Sequence, residues 1–184
     1  PRAAELLKRW TDAPFSSMGY YTFLPQAQVA GISVLLSRTG YTGEDGFELY
    51  AAWEDTGALW DALLQEPSIQ PIGLGARDTL RFESRLPLYG HELSAAISPL
   101  MAGVSGCVKL NKPFMGRDAL AAQKAAKRMP KLVAFELVGR GIPRAGMAVL
   151  SASGESIGHV TSGGMAPTLG RSIGLALVPP GHLR

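Results

Sequence analysis

The sequence is poor in cysteine, in histidine and in long apolar runs, and each shortage excludes a class of protein. One cysteine, Cys107, in 184 residues leaves no partner for an internal disulfide and fits a reducing compartment. It is expected to be a small buried residue without redox function. Three histidines and that cysteine form no cluster at metal-ligand spacing, which excludes a structural zinc site. Charged or turn residues interrupt every apolar stretch before it could span a bilayer. No leader is read in the first ten residues, where Arg2, Glu5, Lys8 and Arg9 mix with alanine and leucine. The chain opens on Pro1 instead of methionine, so residues ahead of it are expected to be missing.

What is present is ample apolar material, 46% of the residues. That suffices for one domain, or for one domain and part of a second. The net charge of +3 conceals an asymmetry. Residues 1–110 hold 8 Lys/Arg against 12 Asp/Glu, whereas residues 111–144 hold 8 against 2. The basic block (Lys112, Arg117, Lys124, Lys127, Arg128, Lys131, Arg140, Arg144) could steer an anionic partner. Only Phe114 and Phe135 fall inside it, too few rings for stacking single-stranded nucleic acid. A solvated helix face plus a linker is the simpler reading.

Along the chain, Ala3–Trp10 reads as a helix tail stopped at Asp12-Ala13-Pro14. Residues 20–23 and 28–36 read as two strands joined through Leu24-Pro25-Gln26-Ala27, and 46–51 as a third. A helix follows, with Glu54 and Asp55 at its start and Leu59, Trp60, Leu63 and Leu64 as its buried stripe. Further helices are predicted over 74–84 and 117–127. From Met129-Pro130 the texture changes to short β-like runs (132–138, 147–151, 156–161, 172–178) separated by Gly, Pro and Ser. The expected boundary divides 1–128 from 129–184. The second part is short for a closed barrel and stops soon after a strand, so the C-terminus is also expected to be cut. The fold class is α+β: antiparallel strands with packed helices, then a truncated Greek-key or jelly-roll-like β-barrel.

The chemistry concentrates in Ser37-Arg38-Thr39-Gly40-Tyr41-Thr42-Gly43-Glu44-Asp45-Gly46-Phe47-Glu48. Glycines at every third position permit tight turns and close approach to a ligand. The spacing is wrong for a phosphate loop or a dinucleotide fingerprint. A ring, Tyr41, and an inward carboxylate would suit a flat heterocycle with ring N–H and amino donors, such as a pterin. An acidic hairpin loop is the bland competitor.

This run strongly resembles the signature of the glycine cleavage T-protein family. Three further stretches resemble the same family in the same order: Gly73-Leu74-Gly75-Ala76-Arg77-Asp78-Thr79-Leu80-Arg81-Phe82-Glu83 with Leu86–Leu93, Val108–Lys112 with Phe114–Arg117, and Ile157–Gly164 with Ala166–Gly170. The resemblance covers essentially the whole chain. It implies transfer of an aminomethyl group from the lipoyl arm of H-protein to tetrahydrofolate, with release of ammonia, in a bacterial cytoplasm or a mitochondrial matrix. Tetrahydrofolate and lipoylated H-protein are the implied partners; no metal, nucleic acid or membrane is implied.

The resemblance also implies residue roles. Glu48 matches the glutamate that hydrogen-bonds the pterin, Tyr41 a tyrosine lining that pocket, and Arg77 an arginine of the folate site. Arg81, four residues on, is assigned to structure, Glu44 and Asp45 to the turn, and His91 to a surface or structural place beside Tyr89 and Glu92. No catalytic residue is assigned: the family's essential aspartate would lie ahead of Pro1, and a folate-touching tyrosine beyond Arg184. Ser84-Arg85 and Met101 depart from the family pattern, the first placing a bulky cation beside the presumed pocket. Two other functions share the fold. A non-catalytic folate-binding protein of the iron–sulfur-repair kind would carry a cysteine near Asn111–Asp118, where none stands. The folate domain of a sarcosine or dimethylglycine oxidoreductase generally lacks the Thr-Gly-Glu-Asp-Gly core, and no flavin-binding glycine motif is present.

Overall fold

A computed structural model describes residues 2–14 and 17–182; Pro1, on which the reading of the N-terminus rests, lies outside them. Two compact units divide at Leu80/Arg81. In the first, helix α1 (Ala3–Leu7) precedes an antiparallel sheet of β1 (Phe23–Val29), β2 (Ile32–Ser37) and β3 (Glu48–Ala51), in the order β1-β2-β3. Helix α2 (Thr56–Leu64) follows, and helix α3 (Leu74–Glu83) contains the division.

Period-two alternation gives the sheet its two faces. Val34 and Leu36 of β2 pair with Ala51 and Leu49 of β3, and with Ala27 and Leu24 of β1. This face closes on Leu7, Met18, Val29 and Leu59 to form the core. Phe23, Ser37 and Glu48 are register partners across the three strands, so they share the opposite face. Glu48 and Phe23 are exposed there.

The first hairpin differs from the sequence reading. Ala30 and Gly31 both take positive φ (53° and 77°), the requirement of a tight two-residue hairpin turn. The strand expected over 28–36 is therefore the end of β1, a turn and β2. Alanine is a rare occupant of that turn, which hid it. Leu24-Pro25-Gln26-Ala27, expected as the connection, lies within β1, where the register slips between Leu24 and Ala27. Proline cannot donate to a ladder, and a bulge is where a strand tolerates it. In α2, Leu59 is buried but Trp60 is half exposed, so the buried stripe is narrower than expected.

The second unit holds helix α4 (Arg117–Ala126), then β4 (Lys131–Glu136), β5 (Ala148–Leu150), β6 (Ser156–Ala166) and β7 (Arg171–Val178), ordered β4-β7-β6-β5 and antiparallel. β4 and β5 stay at the edges, so among the described residues the sheet does not close. β7 is central, and Leu175, Ala176, Leu177 and Val178 are all buried. Space beside it is tight: a Cβ on Gly174 would meet the Phe135 ring at 2.1 Å, and one on Gly158 the Leu177 carbonyl oxygen at 2.2 Å. β6 carries a bulge between Val160 and Ser162. Its extra residue, Thr161, donates its hydroxyl to the Leu175 carbonyl at 3.1 Å. Cys107 is exposed, against expectation. It lies in a short 3₁₀ turn, Ser105–Cys107, none of whose residues is buried.

Candidate functional site

The glycine-rich loop between β2 and β3 is held by its own charges. The Arg38 guanidinium meets the Asp45 carboxylate through two hydrogen bonds of 2.9 Å and donates a third to the Met18 carbonyl. A bidentate fork of this kind fixes geometry as well as charge. Its hydrogen bonds hold the Asp45 carboxyl below the usual carboxylate range and push the Arg38 guanidinium up. Asp45 is thus the turn-former expected, by an ion pair across the loop.

Two of the residues singled out in the sequence, Glu48 and Arg77, lie beside this loop. Glu48, at the start of β3, accepts a hydrogen bond on Oε2 from the Thr39 hydroxyl, and Thr39 is in turn 2.9 Å from the buried Ser37 hydroxyl. Glu48 Oε1 takes no hydrogen bond from a described residue. Arg77, in the first turns of α3, places its guanidinium 4.5 Å from the centre of the Tyr41 ring, a cation–π distance. No ion pair joins Glu48 to Arg77 among the described residues. The three residues singled out in the sequence thus fall on one loop, its following strand and a helix that reaches the loop's ring.

Ser37, Thr39 and Tyr20 escaped sequence reasoning. The hydroxyls carry no pattern of their own; only the antiparallel register that opposes Ser37 to Glu48 reveals them. Tyr20 rests against Tyr21, ring centres 4.3 Å apart. Desolvation, the Tyr21 contact and, last, the negative charges of Asp45 and Glu48 push its phenol up.

Arg81 is structural, as expected, and the reason is specific. It is 2% exposed and lies 2.8 Å from Glu92, itself fully buried. Its other nitrogen reaches Ser162 of the β6 bulge at 3.0 Å. Leu88 N–H donates to the same Glu92 oxygen at 3.1 Å. His91 contacts the Thr161 carbonyl at 3.0 Å, a structural place, while Tyr89 is exposed. The basic residues Lys124, Lys127 and Arg128 are solvent-exposed. Among the described residues no group of three His, Cys, Asp or Glu could hold a metal ion, and no helix is long and apolar enough to cross a membrane.

The two antiparallel sheets with flanking helices define an α+β protein. The chain belongs to the glycine cleavage T-protein family: the family model for the GCVT N-terminal domain matches residues 1–112, and that for the glycine cleavage T-protein C-terminal barrel domain matches 131–184. An aminomethyltransferase from Moorella thermoacetica is 52% identical over 185 residues, covering 98% of this chain and 50% of its own length. One from Geobacillus sp. is 48% identical over 183 residues, covering 97% and 50%. The crystal structure of glycine cleavage system aminomethyltransferase T from Bartonella henselae superposes with a TM-score of 0.86 at 29% identity, covering 96% of this chain and 48% of that one. The chain spans about half the length of the curated relatives it matches.

Proposed function

We propose that this protein serves tetrahydrofolate-dependent aminomethyl transfer, in which the aminomethyl carbon passes from the lipoyl arm of H-protein to tetrahydrofolate and ammonia is released. Relatives at about half identity that bear the name aminomethyltransferase support this reading over the two other functions that share the fold. The observation that carries it is the Glu48 carboxylate, exposed on the signature loop with one oxygen tethered and the other open. A carboxylate accepts two adjacent N–H donors at once, the pattern on the edge of a reduced pterin. Arg77 is proposed to contact the folate, and the Tyr41 ring to line the same pocket while stacking on that arginine. Binding and orientation are what these residues supply. The catalytic carboxylate is proposed to lie outside these 184 residues, in keeping with relatives twice as long. The compartment we propose is the cytoplasm of a bacterium, or the mitochondrial matrix for a eukaryotic source.

Ligand-observed NMR with tetrahydrofolate tests the binding role. Glu48→Ala is expected to weaken affinity by roughly 1–3 kcal/mol, the cost of leaving the ligand's buried donors unpaired. An unchanged affinity removes Glu48 from the site. Incubating the chain alone with aminomethyl-loaded H-protein and tetrahydrofolate is expected to give no ammonia. Turnover there would place the catalytic group among these residues.

A further inference from the structure

We propose that Thr39 is a positioning residue for the folate carboxylate: its hydroxyl, itself oriented by Ser37, fixes the Glu48 side chain so that Oε1 faces the ligand's donors. The inference rests on the pterin reading of Glu48 and deepens it.

The direction of the hydrogen bonds follows from counting protons. A carboxylate only accepts, and a hydroxyl has one proton to give. Thr39 donates to Glu48 Oε2, so its proton is committed. The 2.9 Å contact between Ser37 and Thr39 must then run from Ser37 to Thr39. The chain is therefore one-way, from a buried serine through a half-buried threonine to an exposed acid. A hydroxyl that both accepts and donates is a stronger donor than one that only donates.

Stability does not call for this arrangement. Glu48 is exposed and water would solvate both of its oxygens, so a hydrogen bond to it adds little to folding. What the relay does supply is a single rotamer. A free glutamate carboxylate at the end of a strand samples several, and fixing one on binding costs affinity. Thr39 also lies only two residues past the end of β2, so the backbone ladder that pairs Ser37 with Glu48 brings donor and acid together. The relay is built into the sheet register, which makes it independent of any ligand.

Ligand-observed NMR titration of the chain with tetrahydrofolate, on the wild type and four variants, decides the matter. Thr39→Val, which keeps the shape and removes the hydroxyl, is expected to weaken binding about three- to tenfold. Thr39→Ser should restore it to near the wild-type value. Once Glu48→Gln has removed the charged acceptor, adding Thr39→Val should cost little more, because the two residues act as one unit. Wild-type affinity in Thr39→Val, with Glu48→Gln weakened, overturns the positioning role and leaves the pterin reading intact. Equal losses in Thr39→Ser and Thr39→Val overturn it too, since packing and not the hydroxyl would then be at work; so does full additivity in the double variant. Failure of the wild-type chain to bind tetrahydrofolate, or unchanged binding in Glu48→Gln, overturns the pterin reading itself and the role that rests on it.

Discussion

Glu92→Ala is expected to destabilise the protein by about 3–5 kcal/mol, the range for breaking a buried ion pair from one side. Glu92 is fully buried and Arg81 nearly so. Without the carboxylate, a buried guanidinium keeps neutral partners such as the Leu86 carbonyl and the Ser162 hydroxyl but loses its counter-charge, and the Leu88 N–H loses its acceptor. The pair is not optimal as it stands. Glu92 Oε2 takes both the Arg81 and Leu88 hydrogen bonds, while buried Oε1 has no hydrogen-bond partner among the described residues. Burial pushes the Glu92 carboxyl up, and the neighbouring Ser162 and Thr161 side chains, the Leu88 N–H and the Arg81 charge outweigh it, leaving it net below the ordinary 4.5.

The sign of the pH dependence follows. A carboxyl depressed on folding contributes stability that is complete above the unfolded value, near 4.5, and is lost as pH falls through the folded one. Urea unfolding at pH 7 should show the large loss in Glu92→Ala, and the difference from wild type should shrink below pH 4.5. The double change Arg81→Met with Glu92→Leu should lose much less than the single one, because no charge is stranded. A single-variant loss under about 1 kcal/mol would mean that water reaches this site.

Gly158→Ala is expected to cost about 3 kcal/mol or more, through backbone and not side-chain contact. Its φ of +156° is one that residues with a Cβ rarely adopt, and the added carbon would stand 2.2 Å from the Leu177 carbonyl oxygen. That oxygen belongs to the central strand of the sheet, so it cannot yield without pulling β6 from β7. Gly164→Ala in the same strand is the control. Nothing lies within 4 Å of its added carbon, and a loss under about 1 kcal/mol is expected. Similar midpoints for the two variants in chemical denaturation would remove the steric account.

Elements with a strong periodic pattern were readable in advance. α3 and α4 end within a residue of their expected limits. β7 begins one residue early, and β6 runs five residues past its expected end because its glycines masked a strand. The failures share a cause. Ala30-Gly31 and Pro25 violate the usual residue preferences for a hairpin turn and a strand interior, and only the pairing with β2 makes both acceptable. The Gly loop was legible as a loop between two strands, since its glycine spacing is local. The hydroxyl relay to Glu48 and the Glu92 pair were not. Each joins residues through register or through partners as distant as Arg81 and Ser162, separated by 81 positions, and no local window contains that information. Cys107 failed for a simpler reason: burial statistics for cysteine describe an average, and this one falls in a short turn without a buried neighbour in it.

The interrupted ladder of β1 bears on how copies of the chain meet one another. A bare strand margin is a template on which a second chain can extend the sheet, the first step toward fibrils. Here the margin has Pro25, which has no N–H to offer, within a one-residue slip that spoils the repeat an incoming strand would have to match. The same bulge that bends β1 in the folded protein therefore acts as a gatekeeper against edge-to-edge growth.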